Sequence, residues 1–277
     1  MKVFISCDME GISGITGPEE TDPAKHTYER CRKLMTADVN SAIEGAVLGG
    51  ATEVLVNDSH WNMRNILIED LNAKAQLISG NSKPLSMMQG IDHTFDLAIF
   101  VGYHARAGTS AAIMDHTYTT MLSDVWINEK LVGETGINAG IAGHFGVPVG
   151  AVTGDDKLVK EATSLLGDIE TAAVKEGIDR YAAKCRPLEQ SHTLIANAAR
   201  RAVERRAEFK PLKHAVPIQF KVRFVSTAEA AVVRALPFVR EEDPRAISFV
   251  CEDFLEGFKI FRSILGLAST RREENFG

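Results

Sequence analysis

Lys2-Val3-Phe4-Ile5-Ser6-Cys7-Asp8-Met9-Glu10-Gly11 sets the pattern from which the rest of the fold can be worked out. Residues 2–6 are a short apolar run with β-branched and aromatic side chains, the pattern of a buried strand rather than a helix. The run leads into two acids, Asp8 and Glu10. Two further runs of the same kind end in the same way. Residues 53–57 lead into Asp58-Ser59-His60, and residues 97–101, the clearest strand in the chain, lead into Gly102-Tyr103-His104. Between the first two runs, Tyr28, Cys31, Met35, Val39, Ala42, Ile43, Ala46 and Val47 recur at three- and four-residue intervals. That spacing predicts an amphipathic helix over 28–47, stopped by Gly49-Gly50.

The alternation continues downstream. A weaker strand is expected at 76–78, and a hairpin over 126–133 turning at Asn128–Lys130. A small-residue helix follows over 136–145, then a strand at 147–152, a helix at 156–166 and a last strand at 172–174. Strands alternating with helices give an α/β fold with a doubly wound, mostly parallel sheet. Near Cys185-Arg186-Pro187 the composition changes. Beyond it the chain reads as a basic helix (192–206), strands at 218–225 and 246–251, and helices at 228–236 and 252–268. The expected organisation is therefore an α/β domain over 1–186 and a smaller C-terminal α+β domain over 187–277, with the tail 271–275 frayed.

The 277 residues carry 31 Lys+Arg against 37 Asp+Glu, a net charge of −6, and are 45% hydrophobic and 25% charged. These proportions exclude a disordered or fibrous chain. The acidic balance argues against nucleic acid as the main partner. Uninterrupted apolar runs reach about five residues, where a membrane span needs roughly 20, so no membrane association is expected. Asp8 leaves no room for the apolar stretch of a secretory signal. Cys7, Cys31, Cys185 and Cys251 are scattered, which fits a reducing cytoplasm better than a disulfide framework.

In an open parallel sheet, the C-terminal strand edges line the ligand crevice. Asp8, Glu10, His60 and His104 all sit at such edges, and in extended backbone Asp8 and Glu10 point the same way. Carboxylates with imidazoles suit Zn²⁺ or Mn²⁺ rather than a thiolate-type site. Four or more such ligands can hold two ions roughly 3.5–4 Å apart with one carboxylate bridging. A further acid is wanted, and Glu134 is the best placed, after the hairpin and beside Gly133, where little crowding is expected.

The strings Asp8-Met9-Glu10-Gly11-Ile12-Ser13-Gly14, Val56-Asn57-Asp58-Ser59-His60, Gly102-Tyr103-His104-Ala105-Arg106 and Val132-Gly133-Glu134 together resemble the zinc-dependent D-aminopeptidase family, the bacterial self-compartmentalising type. The resemblance spans the whole N-terminal domain and is weak in the C-terminal one. It implies two zinc ions per subunit, with Asp8 bridging and Glu10, His60, His104 and Glu134 as the other protein ligands. It implies a catalytic histidine at His116, acting as nucleophile, general base or oxyanion partner. It also implies short peptide substrates such as D-Ala-D-Ala, and a homo-oligomer, a decamer of two stacked five-membered rings. Two other functions fit the same residues: a metal-dependent amidohydrolase of other specificity, and a non-catalytic peptide-binding protein that keeps the fold.

Other features have plainer readings. Gly11, Gly14 and Gly17 match no phosphate-binding spacing and read as a flexible loop beside the site. Asp155 and Asp156 either cap the following helix or face the crevice. Cys7 reads as core. Arg200, Arg201, Arg205 and Arg206 read as a solvated or subunit-contact face. Phe254, Leu255, Phe258, Phe261 and Leu265 read as a packing stripe.

Overall fold

Every side chain from Val3 to Cys7 is buried, and the strand they form is flanked on both edges by parallel neighbours. In this computed structural model, which describes residues 1–271, the elements run in chain order as follows. The first half contains β1 (Lys2–Cys7), α1 (Pro18–Thr21), α2 (Tyr28–Leu48), β2 (Glu53–Asp58), β3 (Ala75–Ile78), β4 (Leu97–Val101), β5 (Leu122–Ile127), β6 (Lys130–Leu131) and α3 (Glu134–His144). The second contains β7 (Val149–Asp155), α4 (Asp156–Leu166), β8 (Glu170–Asp179), β9 (Ala182–Cys185), α5 (Leu188–Glu204), β10 (Ile218–Phe224), α6 (Thr227–Val233), β11 (Arg240–Asp243), β12 (Ala246–Cys251) and α7 (Phe254–Ala268). Apart from Arg271, the tail read as frayed lies outside the described residues.

One sheet has the order β3-β2-β1-β4-β7-β8-β9, parallel except for β9, which folds back on β8 at the edge. From β1 the chain winds outward through β2 to β3, then returns to the other side of β1 for β4, β7 and β8. The winding direction therefore reverses at β1/β4, and a doubly wound sheet opens its crevice above such a reversal. Alternation along β1 splits its burial between the two faces. Val3, Ile5 and Cys7 pack with Cys31, Met35 and Val39 of α2 and Ile195 and Ala199 of α5. Phe4 faces the other core, which runs through Ile137 of α3 to Phe220, Phe249 and Phe258.

The second sheet is antiparallel, ordered β11-β12-β10-β5-β6. The break expected near residue 187 is not where the sheets divide. The hairpin β5–β6 comes from the first half of the chain yet pairs with β10, Val125 opposite Val222. Conversely, α5 comes after the break and packs against α2 and the first sheet. The hairpin's own pattern gives no sign of which sheet it joins, because its partner strand lies far downstream. Two edge strands carry no apolar signal. β11 reads Arg-Glu-Glu-Asp and β9 is mostly exposed, as edges that discourage further pairing are.

Cys7 is fully buried, and burial raises its thiol well above the usual range, so it is core. Three of the four arginines at the end of α5 and just beyond it are paired: Arg201 and Arg205 both hold Glu170, and Arg200 pairs with Glu204. Phe254, Phe258, Phe261 and Leu265 of α7 are buried. Among the described residues, no helix is long and apolar enough to cross a membrane.

Candidate metal centre

Asp8 follows β1 by one residue, His60 follows β2 by two and His104 follows β4 by three. Because β2, β1 and β4 are adjacent and parallel, all three side chains emerge at the same end of the sheet. Glu10 joins them, though not through extended backbone. The strand ends at Cys7, and Ile12 N–H donates to the Met9 carbonyl at 3.2 Å, so a turn brings Glu10 round. Glu134 is the first residue of α3, where the helix N-terminus favours a carboxylate. None of these five residues is more than 6% exposed.

The carboxylates divide between the imidazoles. Asp8 Oδ1 lies 3.3 Å and Glu10 Oε2 lies 3.1 Å from His60 Nδ1. On the other side, Asp8 Oδ2 lies 3.4 Å and Glu134 Oε1 lies 3.3 Å from His104 Nε2. Asp8 thus addresses both histidines, one oxygen to each. Ligand atoms of Asp8, Glu10 and His104 lie within 4.8 Å of one another, and so do those of His104, His116 and Glu134. His116 stacks on His104 with ring centroids 4.0 Å apart, and its Nε2 is 3.6 Å from Glu134 Oε1.

The backbone fixes which nitrogen of each ring faces the carboxylates. A carbonyl can only accept, so His60 Nε2 donates to the Thr21 carbonyl at 2.9 Å, His104 Nδ1 to Ala105 at 3.0 Å and His116 Nδ1 to Met114 at 2.8 Å. The opposite nitrogen of each ring is left facing the acids, the arrangement seen when a histidine is held for a metal. His104 Nε2 is buried and has no hydrogen-bond partner among the described residues. Burial alone would lower the pKa of His60 and His104, yet the acids facing them, chiefly Glu10 for His60 and Glu134 for His104, hold both well above the usual imidazole range. Burial raises Asp8, with Glu10 adding to it, whereas Glu10 and Glu134 stay low because the histidines outweigh burial. Such a cluster needs positive charge between its nitrogens and oxygens, and its donor set suits divalent zinc.

The loop that presents His116 is fastened from several sides. Asp115 accepts from Gly108 N–H and pairs with Arg180, Met114 N–H donates to the Arg180 carbonyl, and Ile113 N–H donates to Asp155 Oδ2. Ala111, Met114 and Tyr118 of this loop have φ of 56°, 48° and 61°. Side chains rarely adopt that conformation, and its cost is held where geometry at a site demands it. A cavity of about 440 Å³ opens above the cluster.

A model of the D-aminopeptidase family, peptidase family M55, matches residues 1–263. The chain belongs to the D-aminopeptidase family. A D-aminopeptidase of Bacillus subtilis (strain 168) is 39% identical over 269 residues, covering 97% of this chain and 98% of that protein. A solved structure described as the Zn-dependent D-aminopeptidase DppA from Bacillus subtilis, a self-compartmentalizing protease, superposes with a TM-score of 0.96 at 38% identity, each chain covered in full.

Several residues around this D-aminopeptidase-family site carry no sequence signal. Lys175, 1% exposed, donates from Nζ to the carbonyls of Glu10, Ile12 and Ile15 at 2.6, 2.9 and 2.5 Å. It holds the loop that presents Glu10, and burial lowers its pKa to about 8. Lys175→Met should leave these carbonyls without a donor, at a cost of about 3 kcal/mol or more. The expected fall in Tm is roughly 6–12 °C, measured by thermal unfolding; an unchanged Tm would show that the lysine does not hold the loop.

Asp155 is a helix cap: its Oδ1 accepts from Lys157 and Leu158 N–H. Asp156 pairs with Lys157 and accepts from Gly177 N–H, so neither acid faces the cluster. Gly11 is a close approach rather than a flexible link, since a Cβ there would lie 1.9 Å from the Tyr103 carbonyl oxygen. Gly133 is likewise crowded, contrary to the expectation: a Cβ would lie 2.7 Å from Arg106 Cβ and 2.8 Å from Glu161 Oε1.

Proposed function

We propose that this chain is a dinuclear zinc aminopeptidase that releases N-terminal D-residues from short peptides such as D-Ala-D-Ala. The observation that carries this is the division of the cluster about Asp8, with Glu10 and His60 on one side and His104 and Glu134 on the other. In this reading Asp8 would serve both ions, His60 and Glu10 would hold one, and His104 and Glu134 would hold the other. Zinc at these positions would polarise the peptide carbonyl and bring the pKa of a coordinated water to about 7.

The protein groups do the rest. The carbonyl-bonded tautomers keep His60 Nδ1 and His104 Nε2 free to ligate. His116 stands at the cavity wall, with Nδ1 held by Met114 and Nε2 turned towards Glu134. There Nε2 would accept a proton from the water that attacks the carbonyl and deliver it to the amine nitrogen that leaves as the C–N bond breaks. The anchored 105–118 loop keeps that nitrogen in place, so little ordering remains to be done when substrate binds. Family membership and the relative described as self-compartmentalizing support a homo-oligomeric enzyme. We extend this to a decamer acting in the cytoplasm.

The deciding experiment measures metal per subunit after gentle purification, with D-Ala-D-Ala hydrolysis on the same sample. The expected result is about two zinc ions, with hydrolysis abolished by a chelator and restored by zinc. No metal and no turnover after zinc is added back would overturn the enzymatic reading. Equal hydrolysis of N-acylated peptides would replace it with an amidohydrolase.

A further inference from the structure

We propose that Arg262 of α7 is the cation that receives the C-terminal carboxylate of the peptide substrate, which makes the cavity selective for short free-acid peptides. This rests on the aminopeptidase reading above. A short peptide at neutral pH carries an amine at one end and a carboxylate at the other. The cavity offers acids at its floor, Asp8, Glu10 and Glu134, and two guanidiniums among its lining residues, Arg180 and Arg262.

The two arginines are not equivalent. Arg180 is committed to the buried Asp115 and so belongs to the support of the His116 loop. Arg262 has no carboxylate or hydrogen-bond partner among the described residues. Its guanidinium carbon sits 5.4 Å from the centroid of the Tyr118 ring, within cation–π range. Such a contact restrains the group while leaving its N–H donors available for a planar, bidentate acceptor.

Tyr118 links Arg262 to the metal cluster. Its N–H donates to Glu134 Oε1 at 2.6 Å, and its hydroxyl donates to Asn138 at 2.8 Å. Its φ of 61° is unfavourable for an aromatic residue. That one conformation places the amide on a candidate ligand of the metal and the ring against the arginine. The separation between the reacting end and the carboxylate-binding end is therefore set by a single, doubly anchored residue. A peptide that reaches both ends at once is short, and a longer chain or a C-terminal amide forfeits the ion pair.

The test compares D-Ala-D-Ala with its C-terminal amide, in the zinc-loaded enzyme and in its Arg262→Gln variant. The wild type is expected to favour the free acid by about 10- to 100-fold in kcat/KM, the range of a charged hydrogen-bonded pair. In Arg262→Gln the preference should fall to near parity, through a higher KM for the free acid, with the amide unaffected. In the His116→Ala background, calorimetric binding of the two peptides should show the same preference and the same loss. A preference that survives Arg262→Gln, or an equal fall for both substrates, overturns the proposal. A wild type that hydrolyses neither peptide overturns the aminopeptidase reading and this subsite with it.

Discussion

Asp8→Ala is expected to empty both metal positions and to lower turnover by on the order of 10³–10⁴-fold. The magnitude follows from losing several kcal/mol of charge stabilisation in the transition state. The reason for both ions is geometric. Oδ1 of Asp8 faces His60 and Oδ2 faces His104, so one deletion takes a ligand from each half of the cluster. It also removes a carboxylate from between two buried imidazoles, leaving His60 with Glu10 and His104 with Glu134. Loss of Glu10 or Glu134 alone should weaken one half only. Metal analysis per subunit distinguishes these cases, and thermal unfolding checks that the variant is folded. Retention of two zinc ions by Asp8→Ala would rule out the bridging role.

The second large effect is expected at His116. His116→Ala should keep a metal content near that of wild type while turnover falls by about 10²–10⁴-fold, the range for an acid–base residue. The structure makes this a sharp test, because His116 Nε2 is 3.6 Å from Glu134 Oε1 and the ring stacks on His104. That position is close enough for His116 to serve instead as a ligand of the Glu134 half. Loss of one zinc ion per subunit would make it so and would remove it from proton transfer. The side chain is about one-fifth exposed, so its removal opens little void, and a large drop in Tm is not expected.

What could be read in advance follows from how far apart in sequence the determining contacts lie. β1, β2 and β4 were legible because each is an apolar run, and their order placed Asp8, His60 and His104 at one sheet end without knowledge of any long-range contact. Glu134 was legible only as an acid after a hairpin. Its arrival beside His104 depends on α3, whose first turn is set by the crowded Gly133. The loop over 105–118 gives no periodic signal, because Ala111, Met114 and Tyr118 adopt backbone conformations that their residue types disfavour. The position of His116 therefore came from the family resemblance alone. Lys175 was invisible for the opposite reason: a lysine near the end of an apolar run reads as solvent-facing, and its three partners lie some 160 positions earlier.

The pairing of the β5–β6 hairpin has a consequence for how the protein comes into being. Asn128, at the hairpin tip, exchanges hydrogen bonds with Gln219, 91 positions later. Glu134 leaves that hairpin directly into α3, so the segment that seats it has no sheet to join until β10 has been made. Contacts of such separation form late, and chains are synthesised from the N-terminus. On the ribosome, Asp8, Glu10, His60 and His104 can be brought together by the first sheet while the hairpin still lacks its partner. A growing chain therefore holds its cluster incomplete, with Glu134 unseated, until its last quarter emerges and β10 gives the hairpin its partner.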